Sequence, residues 1–223
     1  MTRRAYDGCV DPRVGEARRL LDRYLVEIVE TYELCPWAKT SRTGGELAVE
    51  FLWGTPTLDA WTEAATRAFV DPKIRVAMLV APELAITRQD LHGVRDAVAK
   101  RAGTLGVAEF HPDATYDGKT PARLVPFLRR SPDPMLQCVP LALLDQVRGP
   151  PLNVERSEQI AMLVKAGGLD AVKPPLVDRI AAQNHARVDQ HEVEAKLAAI
   201  AADRAESYAR VGIRCPGIAP QRS

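Results

Sequence analysis

Residues 75–110 read RVAMLVAPELAITRQDLHGVRDAVAKRAGTLGVAEF, and the order of elements in this stretch decides the fold. Arg75 to Val80 is an apolar run of strand length, and Val107 to Phe110 is a second one. Thr87 stands as an N-cap before a helical stretch from Arg88 to Arg101, and Gly103 closes it. Crossover helices of that length suit a small sheet covered by helices, with some parallel pairing.

Toward the N-terminus the same alternation continues. Leu47 to Trp53 (LAVEFLW) reads as a strand, and Thr57 to Phe69 as a helix capped by Thr55 or Thr57 and stopped at Asp71-Pro72. From Val14 to Leu34, apolar residues at Leu20, Leu21, Tyr24, Leu25, Ile28, Val29 and Tyr32 have helical spacing. Pro36 ends that helix, because a proline disfavours helical backbone in the residue before it. On this reading Cys35 lies at a helix C-terminus. Toward the C-terminus, Met135 to Val147 is apolar but interrupted by Pro140, a strand followed by a helical turn or else a kinked helix. Ser157 to Ala166 reads as a helix, and Pro175 to Gly212 as helical with a break near Gln190-His191. The expected fold class is α+β (α/β-like): a small sheet of three to five strands covered by helices, with a helical C-terminal segment. Residues 14–148 form the core and 150–213 a helical segment packed on it.

The totals exclude several functions. Thirty basic and 29 acidic side chains leave a net charge of +1, which argues against a large phosphate footprint on nucleic acid. No run of eighteen apolar residues is present to span a membrane, and the N-terminal stretch MTRRAYDGCVDPRVGEARR has no apolar region of a secretory signal. The four cysteines, Cys9, Cys35, Cys138 and Cys215, are far apart with no CxxC, so neither a disulfide framework nor a structural zinc site is expected. The cytoplasm is the expected compartment. Glycine-rich nucleotide loops and GxSxG are absent.

What chemistry there is gathers in and around a long polar loop. Residues 109–135, EFHPDATYDGKTPARLVPFLRRSPDPM, connect two apolar segments, and irregular connections of this length usually have a function. His111 follows a strand and precedes a proline, unlike His92, His185 and His191, which lie among charges on helices. It suits a general base, a zinc ligand aided by Asp113, Asp117 and Cys35, or a haem axial ligand. Arg129-Arg130-Ser131-Pro132 pairs two guanidiniums with a hydroxyl, which suits a carboxylate or phosphate, haem propionates and an amino-acid carboxylate included; a solvated basic turn is the plain alternative. Cys35 is either an inert buried thiol, a nucleophile or a metal ligand, and a thiolate is disfavoured at a helix C-terminus.

Three blocks carry a resemblance: Leu34-Cys35-Pro36-Trp37-Ala38-Lys39, Phe110-His111-Pro112, and Arg130-Ser131-Pro132-Asp133-Pro134-Met135-Leu136. In this order they resemble the bacterial family catalogued as domain of unknown function 1415. They are also similar to a family that includes haem-dependent enzymes oxidising the amine nitrogen of amino acids in natural-product pathways. The resemblance spans roughly residues 20–145. It departs from the first pattern at Arg129, where Asn is usual, and at Gln137, which replaces a His; the tyrosine often found after His-Pro is displaced to Tyr116. It implies a haem-dependent oxygenase or oxidase acting on a small amine or amino acid. His111 is then the axial ligand with Cys35 as the alternative, and Arg129, Arg130, Ser131 and Trp37 help to hold haem or substrate, with Arg130 beside the chemistry. Two other readings stand beside it. One is a haem-free enzyme with Cys35 as nucleophile and His111 as its base; the other is a non-catalytic module whose C-terminal helices pack on a partner or a second copy as a homodimer.

Overall fold

The computed structural model describes residues 11–35, 37–114, 120, 127–148, 182, 185–186 and 188–214. In chain order the elements are α1 (Pro12–Tyr24), a π-helical segment (Leu25–Glu30), α2 (Ala38–Thr43), β1 (Leu47–Phe51), α3 (Leu58–Ala68), β2 (Val76–Val80), α4 (Arg88–Ala102), β3 (Leu105–Phe110), β4 (Met135–Pro140), α5 (Leu141–Arg148) and α6 (Gln190–Val211). The fold is α+β. The helix expected over 157–166, together with Tyr116 and Asp117, lies outside the described residues.

The sheet has four strands in the order β1-β2-β4-β3. β1 and β2 run parallel, whereas β4 is antiparallel to both β2 and β3. It follows that β1, β2 and β3 share one direction, and β4 fills the gap that the β2–α4–β3 crossover leaves open. Thr57 and Thr87 cap α3 and α4 through side-chain oxygens that accept from Ala60 N–H and Asp90 N–H. Gly103 ends α4 at φ +63°, a left-handed conformation that costs glycine little. β2 is buried along its whole length, as a strand covered on both faces must be.

Side chains alternate across the sheet, and each face gathers its own core. Val76, Met78, Val80, Phe110, Met135 and Val139 face α1, the π segment, α5 and α6, meeting Leu21, Tyr24, Ile28, Val29, Leu143, Val193 and Ile200. Ala77, Leu79, Leu136 and Cys138 face α3 and α4, meeting Trp61, Ala64, Leu91 and Val98. Each large side chain buried this way contributes roughly 1.5–3 kcal/mol. The interrupted segment 135–147 resolves into a strand followed by a helix, with Pro140 at the end of β4.

The C-terminal helix α6 starts where Asp189 caps it, at the break expected near Gln190, and packs along α1. Arg19 and Arg23 of α1 reach Asp203 of α6 at 2.7 Å each. Deeper in, Asp133, just before β4, accepts from Arg204 Nε at 2.7 Å and from Tyr208 O–H at 2.6 Å. The carboxylate is buried, and Ser131 Oγ donates to the Asp133 carbonyl behind it. Burial pushes the Asp133 carboxyl up, while Arg204 and Tyr208 pull it back toward the ionised form.

Candidate functional site

The segment carrying Cys35 has an unusual start. The N-terminal helix passes into π geometry at Leu25–Glu30, with Thr31 Oγ1 donating to the Val26 carbonyl. It closes with Leu34 N–H donating to Val29 O and Glu33 N–H to Glu30 O, the paired bonds of a Schellman turn. Glu33 occupies the left-handed position of that turn at φ +49°, where glycine is the usual residue. The helix ends there, and α2 opens at Ala38 with Trp37 at its N-cap position. Glu30 and Arg42 tie the two sides together through a two-pronged ion pair, at 2.6 and 3.0 Å.

This turn changes the environment of Cys35. The helix before it has already turned, so the thiol is exposed to the opening of α2 rather than to carbonyls at a C-terminus. Burial pushes the Cys35 thiol up, yet the N–H groups of Trp37 and Ala38, the amide of Gln137 and the charge of Arg129 all pull it down. Gln137 Nε2 lies 3.7 Å from Sγ. The balance leaves the thiol above its ordinary value, with the Gln137 amide placed toward the sulfur. The expectation that Cys35 sits against a helix C-terminus is therefore corrected.

Arg129 is the second member of this group. Its guanidinium lies over the Phe110 ring, 5.5 Å from the centroid, and its Nε is buried without a hydrogen-bond partner. Burial pushes its pKa down, and Glu109 opposes that shift from a distance. No ion pair to Arg129 forms among the described residues. A buried guanidinium left this way is costly unless something anionic completes it.

His111 does not join them. It is 4% exposed; its Nδ1 accepts from Asp113 N–H at 3.0 Å, which leaves Nε2 to donate to the Ile86 carbonyl at 2.9 Å. Ile86 packs with the α3–α4 core, on the opposite face of the sheet from Cys35 and Gln137. Strand alternation explains the separation: Phe110 points toward the π segment, so the next residue points away. With both ring nitrogens engaged, His111 is a strut at the end of β3 and neither a base for Cys35 nor a free ligand.

Arg130 and Ser131 are also structural. Arg130 Nε donates to Ala114 O at 3.2 Å and its guanidinium covers Phe127 at 4.9 Å, closing the loop after His111. Trp37 precedes α2 and packs on the core beside Cys35. Two residues escaped the sequence reading as site members. Gln137 sits two positions from Met135 on β4 and so shares its face, a relation that the strand period would have shown. Ser41 lies one turn beyond Ala38 on α2, and nothing in its sequence context marks it.

Ser41 and Gln137 line a small, mostly apolar cavity with Ala38, Val29, Met78 and Phe110 among its other walls. It has about the room of one water molecule. A haem does not fit these residues as arranged: the cavity is far too small, and His111 and Cys35 address opposite faces. Among the described residues no group of three or more His, Cys, Asp or Glu is placed to hold a metal ion, and no helix is long and apolar enough to cross a membrane. No family model, curated protein or solved structure matches this chain.

Proposed function

We propose that this protein is a thiol enzyme in which Cys35 is the nucleophile and Arg129 receives an anionic group of a small substrate, such as the carboxylate of an amino acid. One observation carries the reading: the Gln137 amide donates toward the Cys35 sulfur at 3.7 Å, and the Arg129 charge also opposes the burial that raises this thiol. Deprotonated sulfur would attack the substrate's electrophilic atom and displace a leaving group, while the donors hold charge in the sulfur anion. The base role assigned to His111 in the thiol reading passes to no residue of the site, so the proton leaves to solvent or to the substrate's own leaving group.

The test uses two reagents of nearly equal size. Iodoacetate carries a carboxylate where iodoacetamide carries an amide. The rate ratio of iodoacetate to iodoacetamide at Cys35 is expected to exceed that of the unfolded chain by about tenfold, as one charge-assisted contact would give. Arg129→Gln should collapse it. A ratio equal to that of the unfolded chain would overturn the reading.

Haem-dependent oxidation of an amine nitrogen is the second reading. What favours it is that the second and third blocks meet, Phe110 pairing with Met135, and that Arg129 and Gln137, which flank the third, meet the His111 N–H and the Cys35 sulfur. It requires His111 to leave the Ile86 carbonyl. A Soret band formed stoichiometrically on haem titration, and lost in Cys35→Ala or His111→Ala, would favour it over the thiol reading.

A further inference from the structure

Tyr24, the last residue of α1, is completely buried, and its O–H donates to the Leu128 carbonyl at 2.5 Å. That oxygen belongs to the peptide unit joining Leu128 to Arg129. The next peptide unit is held as well, because the Arg129 carbonyl accepts from His111 N–H at 3.1 Å and from Ser131 N–H at 2.9 Å. The backbone is therefore fixed on both sides of the Arg129 Cα. The Tyr24 ring also meets the Phe110 ring edge-on, at 88° and 6.4 Å between centroids. Phe110 is the platform on which the Arg129 guanidinium lies, 5.5 Å from the ring centroid. One side chain thus touches both the peptide that carries Arg129 and the surface that supports its charge.

We infer that Tyr24 is a positioning residue for Arg129, setting where the guanidinium meets the anionic group of a substrate. The inference rests on the reading of Arg129 as the anion receptor. Tyr24 does not touch the substrate in this account; it acts through the Leu128 carbonyl and the Phe110 ring. A phenylalanine would fill the same core volume, so what the hydroxyl adds is the bond to Leu128. An arginine side chain has several rotatable bonds, and ordering them when an anion arrives weakens binding. A guanidinium already seated on a ring, on a backbone already fixed, loses less.

The ratio of iodoacetate to iodoacetamide rates at Cys35 is measured on the full chain, with folding of each variant checked by circular dichroism. Tyr24→Phe keeps the ring and removes only the hydroxyl. The ratio is expected to fall at least about threefold, while the iodoacetamide rate changes by less than about twofold. Phe110→Leu, which removes the platform, should lower the ratio in the same way. Tyr208→Phe removes a buried phenol hydrogen bond at Asp133 instead, and should lower the urea midpoint while leaving the ratio unchanged. A ratio unchanged in folded Tyr24→Phe, or lowered equally in Tyr208→Phe, would overturn the inference. If Tyr24→Phe does not fold, an unchanged ratio in Phe110→Leu overturns it. A ratio that collapses in Arg129→Gln but not in Tyr24→Phe ends this inference alone and leaves the thiol reading standing. A wild-type ratio equal to that of the unfolded chain ends both.

Discussion

Gln137 reaches from the middle of β4 to within 3.7 Å of the Cys35 sulfur, across a sequence separation of 102 residues. An imidazole at this position would meet the sulfur as a base, which the amide cannot be. Gln137→His is therefore expected to lower the pH at which Cys35 becomes reactive and to raise its alkylation rate at neutral pH by about tenfold, within the usual range of a positioned base. Gln137→Leu should slow alkylation instead. Rates against pH for the three proteins check both statements, and unchanged profiles would remove Gln137 from the site.

Burial raises the Cys35 thiol above its ordinary value of 9.0, so the folded chain holds that proton more tightly than the unfolded one. The stability linked to this group is present below pH 9 and is lost as pH rises through the folded value. Urea titrations across the alkaline range should show a decline that is shallower in Cys35→Ala. The buried thiol of Cys138 is pushed up to about 12, so its loss also begins near pH 9 but continues until about 12, and it stays unlabelled in the folded protein.

The Asp133 clamp should dominate the attachment of α6. Asp133→Ala leaves Arg204 near an empty buried site and is expected to cost about 3–5 kcal/mol. Tyr208→Phe removes one hydrogen bond to that carboxylate and should cost about 1.5–3 kcal/mol. Urea denaturation measures both, and a loss below about 1 kcal/mol for Asp133→Ala would contradict the assignment.

The outer pairs across α1 and α6 should matter less. Arg19 and Arg23 hold the Asp203 carboxyl at about 2, with the Arg19 hydrogen bond the larger cause. Its contribution is present above the ordinary value of 3.8 and fades as pH falls through about 2. Arg19 is 44% exposed, so water and salt screen the pair; Asp203→Asn should cost under about 1 kcal/mol, less still in high salt.

Glu33 pays a conformational penalty at φ +49°. Glu33→Gly should stabilise the chain by about 0.5–1 kcal/mol, the left-handed penalty relieved less the entropy that glycine loses on folding. A higher thermal midpoint together with slower Cys35 alkylation would show that this turn also sets the position of the sulfur.

Much of the framework was legible because it follows from short-range rules. Thr57, Thr87 and Gly103 mark helix ends through their own side chain or backbone freedom, and the apolar runs at 47–53, 75–80 and 107–110 have strand length. The site was less so. Whether Cys35 ends one helix or begins another depends on Glu33 adopting a conformation that its residue type disfavours. His111 read as available because the Ile86 carbonyl and Asp113 N–H that occupy its ring are set by tertiary packing and a local turn. Arg130 and Ser131 looked like part of a ligand corner, but Arg130 donates to the Ala114 carbonyl and Ser131 to that of Asp133, whose carboxylate holds α6 residues some seventy positions away.

The most direct test of the account is alkylation of the folded wild-type protein by iodoacetamide, mapped to individual cysteines across neutral and alkaline pH. The account predicts labelling at Cys35, none at Cys138, and a rate that keeps rising past pH 9. A folded protein in which Cys35 stays unlabelled, while the unfolded chain reacts there freely, would contradict it.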